Sequence, residues 1–77
     1  MQAQCLENIS AILEAAGTGL SKVIKTSIFL TDMNDFPAVN AVYAQYFSGE
    51  IKPARSTVAV KTLPLNVIVE MDCIALL

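Results

Sequence analysis

Histidine and tryptophan are absent from this chain, arginine occurs once, and the two cysteines stand near opposite ends of its 77 residues. Without histidine there is no Cys–His or Ser–His nucleophile pair and no imidazole to bind a metal. Cys5 and Cys73 form no CxxC, so no zinc site is expected. Both read as reduced, buried small hydrophobes, which suits a reducing compartment, the cytosol or the mitochondrial matrix. Basic residues are few and scattered, five against seven acidic ones for a net charge of −2, which argues against a nucleic-acid footprint. Apolar runs are too short to span a bilayer, and the first residues lack a charged segment leading into an apolar one. Neither a membrane nor a nucleic-acid partner is expected.

Apolar residues are what the chain has in excess, at 55% of the sequence against 16% charged. Seventy-seven residues make one small domain, 1–77, near the size at which a single core barely suffices. That is more apolar side chain than so small a domain can hide. Some of it should meet another subunit or a further part of the same fold.

Residues 3–16 read as a helix, with Leu6, Ile9, Ile12, Leu13 and Ala16 at helical spacing and Gly17 at the stop. Residues 23–30 read as a strand. Alternation puts Ile24, Thr26, Ile28 and Leu30 on one face and Val23, Lys25, Ser27 and Phe29 on the other. Asp35 is a suitable N-cap for a second helix opening at Phe36-Pro37 and running to about Phe47. Its stripe is Phe36, Val39, Tyr43, Tyr46 and Phe47. A strand follows Pro53, and Leu63-Pro64-Leu65-Asn66 turns the chain into a last strand, 67–76. The strand–helix–strand crossover predicts a parallel pair, and the short final link predicts an antiparallel one. The fold class is therefore α+β, two helices on one face of a mixed sheet, with nothing over the other face.

The lone arginine lies in Lys52-Pro53-Ala54-Arg55-Ser56-Thr57-Val58-Ala59-Val60. Pro53 biases Lys52 toward extended backbone and starts the strand in a defined direction. Arg55, Thr57 and Ala59 then share one face, and Ser56, Val58 and Val60 the other. A permanently charged planar fork among small neighbours suits bidentate capture of a carboxylate or phosphate. A surface ion pair on an edge strand is the plainer alternative. Two more polar residues look misplaced. Asn40 interrupts the apolar stripe of the second helix, where it is either a site residue or a helix-edge amide bonded to a loop. Glu70 sits mid-strand between Val69 and Met71, either solvent-facing or a functional carboxylate partnered by Arg55.

Together, residues 23–33 (VIKTSIFLTDM), 35–43 (DFPAVNAVY), 52–58 (KPARSTV) and 69–75 (VEMDCIA) closely resemble the reactive intermediate deaminase (Rid, or YjgF-type) family. The Pro-Ala-Arg-Ser block with a glutamate at its spacing is the specific part. The resemblance implies a chorismate-mutase-like fold, a homotrimer with active sites between subunits, and hydrolysis of 2-imino acids to 2-keto acids and ammonia. No cofactor is implied. Arg55 resembles the arginine that grips the substrate carboxylate, and Glu70 the carboxylate that positions the attacking water. Asn40 matches an asparagine bordering the cleft. Thr57 takes a cleft position where many relatives have cysteine, so no thiol role is implied there. Family members also carry a hairpin and a strand ahead of the first helix, and the chain corresponds to the C-terminal part of their domain. Two alternatives stand beside the deaminase: a non-catalytic module binding small carboxylates such as keto acids, and the ribonuclease activity attributed to some relatives.

Overall fold

The computed structural model describes residues 2–77. Helix α1 spans Gln2–Ala15 and helix α2 Phe36–Tyr46; strands β1, β2 and β3 span Val23–Leu30, Ala54–Ala59 and Val69–Ala75. α1 ends where glycine allows it. Gly17 adopts φ 87, the Gly17 N–H donates to the Glu14 carbonyl, and the Thr18 N–H donates to the Leu13 carbonyl. That double closure is a Schellman stop, which a residue with a Cβ adopts only under strain. Asp35 departs from its expected role, because its side chain caps nothing. Asp32 acts instead, its Oδ1 accepting from the Asn34 N–H at 2.9 Å to start a single 3-10 turn, Met33–Asp35, ahead of α2.

The sheet order is β2-β1-β3, with β1 parallel to β2 and antiparallel to β3. This corrects the expectation that the two strands joined by the short link are neighbours. Residues 60–68 step over the end of β1, where the Val60 N–H donates to the Leu30 carbonyl at 2.7 Å and the Thr31 N–H to the Ile68 carbonyl at 3.2 Å. A tight hairpin needs only two to five linking residues, whereas a longer link can cover two strand spacings, roughly 10 Å. The step uses a 3-10 turn, Pro64–Asn66, in which Leu65 and Asn66 have φ of 60 and 54.

Both helices lie on one face of this sheet, as expected. Leu6 and Leu13 of α1, Val39 and Tyr43 of α2, and Ile28, Leu30 and Val69 of the strands are buried together, with Phe47 just beyond α2. Three apolar positions fall on the other side from expectation. Val23 pairs with Ala75 while Lys25 pairs with Ile74, so Ile24 is an extra residue, a β-bulge. The bulge resets the alternation, burying Val23 and exposing Ile24, before Thr26, Ile28 and Leu30 resume the inward face. Ile12 lies at the margin of its stripe and faces outward, 67% exposed. Ile28 is fully buried on the central strand. Ile28→Val is expected to lower stability by about 0.5–1.5 kcal/mol in chemical denaturation without changing the slope of the transition.

Cys5 and Cys73 are free and half-buried rather than fully buried. Burial pushes the Cys73 thiol above its ordinary range, and the adjacent Asp72 carboxylate pushes it further the same way. The thiol therefore stays protonated to higher pH than a free cysteine. Its alkylation by iodoacetamide, followed by mass spectrometry, should be slower near neutrality than that of a free cysteine and rise at higher pH. Asp72→Asn should move that profile part of the way down, since burial is the larger cause.

Candidate functional site

Strand register decides which residues can meet. Thr26, Ile28 and Leu30 face the helices, and their partners on β2 are Arg55, Thr57 and Ala59. Registered residues share a face, so Arg55 rises toward α2. There it donates from Nη1 to the Asn40 Oδ1 and lies over two rings, its guanidinium carbon 4.8 Å from the Tyr43 centroid and 5.5 Å from that of Phe36. Phe36, Asn40 and Tyr43 follow one another at helical spacing along the α2 face that meets β2. Asn40 is thus a half-buried amide that orients the arginine.

The aromatic support is itself anchored. Tyr43 stacks on Phe47 with centroids 4.6 Å apart, and its hydroxyl shares a buried 2.9 Å hydrogen bond with Thr26 Oγ1. Beside it opens a cleft of about 410 Å³ lined by Arg55, Lys52, Asn40, Ala44 and Pro53 together with Tyr43 and Phe47. Among the described residues, its only charged ones are the two cations. Arg55 spends one N–H on a neutral amide and its π-face on rings, neither of which cancels its charge. The rest of the fork is left for an anion, and a carboxylate matches its geometry.

Thr57 stands on the same face, two residues beyond Arg55 and opposite Ile28. Its Oγ1 is shielded from solvent and has no hydrogen-bond partner among the described residues. It is not among the residues that line this cleft within one chain. Glu70 goes elsewhere. It pairs with Phe29, with Asp72 opposite Ser27 and Ile74 opposite Lys25, on the face away from the helices. Glu70 is exposed there, and β1 separates its strand from that of Arg55. The expectation that Arg55 and Glu70 approach one another on adjacent strands is therefore wrong within one chain. An alternating strand sends odd and even positions to opposite faces, and the order β2-β1-β3 adds a full strand between them.

A family model described as endoribonuclease L-PSP matches residues 1–77. The fold also superposes with a TM-score of 0.94 and 49% identity on the crystal structure of a conserved Rid-family protein from Yersinia pestis, over 97% of this chain and 60% of that one. The chain belongs to the Rid (YjgF) family. Among its Rid relatives, a RutC family protein of Synechocystis is 55% identical over 96% of this chain and 57% of its own length. The chloroplastic Reactive Intermediate Deaminase A of Arabidopsis thaliana is 50% identical over 96% of this chain and 39% of its own. The crystal structure of Escherichia coli TdcF with bound serine has a TM-score of 0.90 and 42% identity, covering 96% of this chain and 60% of that one. The chain thus spans about half the length of the curated relatives it matches.

Sequence reasoning singles out Arg55 and Asn40, which the structure joins by a hydrogen bond. It misses the Thr26–Tyr43 pair. A signal for it was present: one threonine on an inward strand face otherwise made of isoleucine and leucine, and a tyrosine in the middle of the facing helix stripe. A buried hydroxyl needs a partner, and each is the other's.

Proposed function

We propose that this chain carries the carboxylate-binding half of a deaminase that hydrolyses reactive 2-imino acids to 2-keto acids and ammonia. The observation that supports it most is the Arg55 guanidinium, held by Asn40 and two aromatic faces beside a cleft whose charges are all positive. A 2-imino acid is a small anion already electrophilic at its C=N carbon. Catalysis then asks mainly for a clamp on the carboxylate, an oriented water and a sheltered cleft, in which positioning is the larger contribution. Water adds to the C=N carbon, a proton passes to nitrogen, and ammonia leaves as the carbonyl forms. The bound serine of TdcF and the name of the Arabidopsis relative agree with an amino-acid-like carboxylate ligand and with this reaction class.

Glu70 remains the proposed base for the water and the shuttle to the departing nitrogen. Since one chain holds it on the far face from its own Arg55, the carboxylate that meets Arg55 must come from a second copy. That fits a homotrimer with sites between subunits. It also fits the apolar surface on the uncovered face, where Val58 is 45% exposed and Ile74 58%. Among the described residues no helix is long and apolar enough to cross a membrane.

The test is to generate 2-iminopropanoate with an amino-acid oxidase and follow the appearance of pyruvate. An increase in rate proportional to added protein is expected when the chain is joined to the strands its relatives carry ahead of α1. The 77-residue chain alone should be much weaker, and no increase from the joined protein would reject deamination. Carboxylate binding without turnover would leave the chain a binding module for keto acids. Ribonuclease activity, which the family description names, has less to support it in a chain of net charge −2 with no histidine.

A further inference from the structure

We propose that the buried Thr26–Tyr43 hydroxyl pair is a positioning device that holds the Arg55 guanidinium in its ligand-ready orientation without touching the ligand. Its effect on ligand affinity rests on the carboxylate-clamp role given to Arg55 above, while its effect on Arg55 order does not. Arg55 is exposed, and an exposed arginine ordinarily wanders among rotamers. Here it has a platform. The Tyr43 ring lies 4.8 Å beneath the guanidinium carbon, with Phe47 stacked against the ring and Asn40 one turn earlier on the same helix accepting from Nη1. A platform orients only if it cannot slide. Tyr43 is fixed at its far end, where its hydroxyl meets Thr26 Oγ1 at 2.9 Å in the core, with Thr26 fully buried.

Register makes this bond more than a packing detail. Thr26 is the β1 residue paired with Arg55 itself. The strand position that places the arginine backbone also places the hydroxyl that anchors the ring under its side chain. The chain of contacts runs Thr26, Tyr43, Arg55, Asn40, joining β1 to α2, α2 to β2, and β2 back to α2. A shift of α2 along the sheet would strain the Thr26 bond before it displaced the guanidinium. The Tyr43 ring borders the cleft, but its hydroxyl is turned into the core and already engaged, so the hydroxyl acts through Arg55 rather than on a substrate.

The experiment uses the 77-residue chain and pyruvate as probe, with Tyr43→Phe, Thr26→Val and Thr26→Ser. Side-chain NMR of the Arg55 Nε–H reports its order directly, and pyruvate titration reports affinity. Tyr43→Phe keeps the ring and removes only the oxygen, so Arg55 should lose order and pyruvate affinity should fall about three- to ten-fold. Thr26→Val should do the same, and Thr26→Ser, which keeps the hydroxyl, should restore both. The double variant Tyr43→Phe/Thr26→Val should bind no worse than either single one, because both act through one bond. Unchanged Arg55 order in folded Tyr43→Phe and Thr26→Val would overturn the inference whatever the binding result. Arg55→Lys serves as the control on the clamp. If it bound pyruvate as tightly as the parent, the carboxylate-clamp reading would fall, while the Arg55 order in the other variants would still decide the positioning role.

Discussion

Arg55→Lys is expected to abolish most imine hydrolysis while melting at nearly the parent temperature. Lysine keeps the charge but replaces a planar fork by a point, so two parallel contacts to a carboxylate become one. It also loses the flat face that rests on Tyr43 and Phe36. The combined loss is about 2–4 kcal/mol in the transition state, roughly 30- to 1,000-fold in kcat/KM. Stability should change little, because Arg55 is exposed and lysine can keep its aliphatic stem over Tyr43 and one contact to Asn40. The oxidase-coupled assay and a thermal melt settle the two halves separately. Near-parent turnover would reject Arg55 as the clamp.

Mixing two dead variants should restore activity. Arg55→Lys and Glu70→Gln are each expected to be nearly inactive alone. Opposite faces of the sheet prevent one chain from supplying both groups to one site. If the site lies between subunits, a mixed ring contains interfaces that join an intact Arg55 from one variant to an intact Glu70 from the other. In an equal, randomly exchanged mixture about one interface in four is complete, so about a quarter of parent activity should return. Unfolding and reassembling the mixture together ensures exchange. A mixture as inactive as its components would exclude a site shared between copies in this way.

Element types are legible in this sequence because each leans on local chemistry. The helix stop at Gly17, the proline in the first turn of α2 and the alternation of Arg55, Thr57 and Ala59 are all decided within a few residues. The candidate site is partly legible for the same reason. An arginine and an asparagine stand where apolar or small residues are the rule, and they turn out to be bonded. What is not legible is pairing. Nothing in Val23-Ile24-Lys25 announces a bulge, because the extra residue exists only relative to the spacing of Ala75 and Ile74 on another strand. Nor does the link after β2 say whether it turns back or steps across. That ambiguity carried Glu70 to the wrong neighbour, since oddness of composition marks a residue as special without saying which face or strand it will oppose.

The order β2-β1-β3 also governs how the molecule must form. No strand pairs with its nearest strand in a hairpin, and even Leu30 with Ala59 encloses the whole of α2. Antiparallel pairs such as Val23 with Ala75 span most of the chain. Every rung of the ladder therefore closes a long loop, and the entropy of that closure is spent before any sheet contact repays it. β1 has no partner until chain far downstream of it has been synthesised. Its apolar inner face must wait, covered only by the two helices, for the strand that carries Arg55 and then the strand that carries Glu70. The sheet should accordingly appear in one late, cooperative step rather than rung by rung from a local turn.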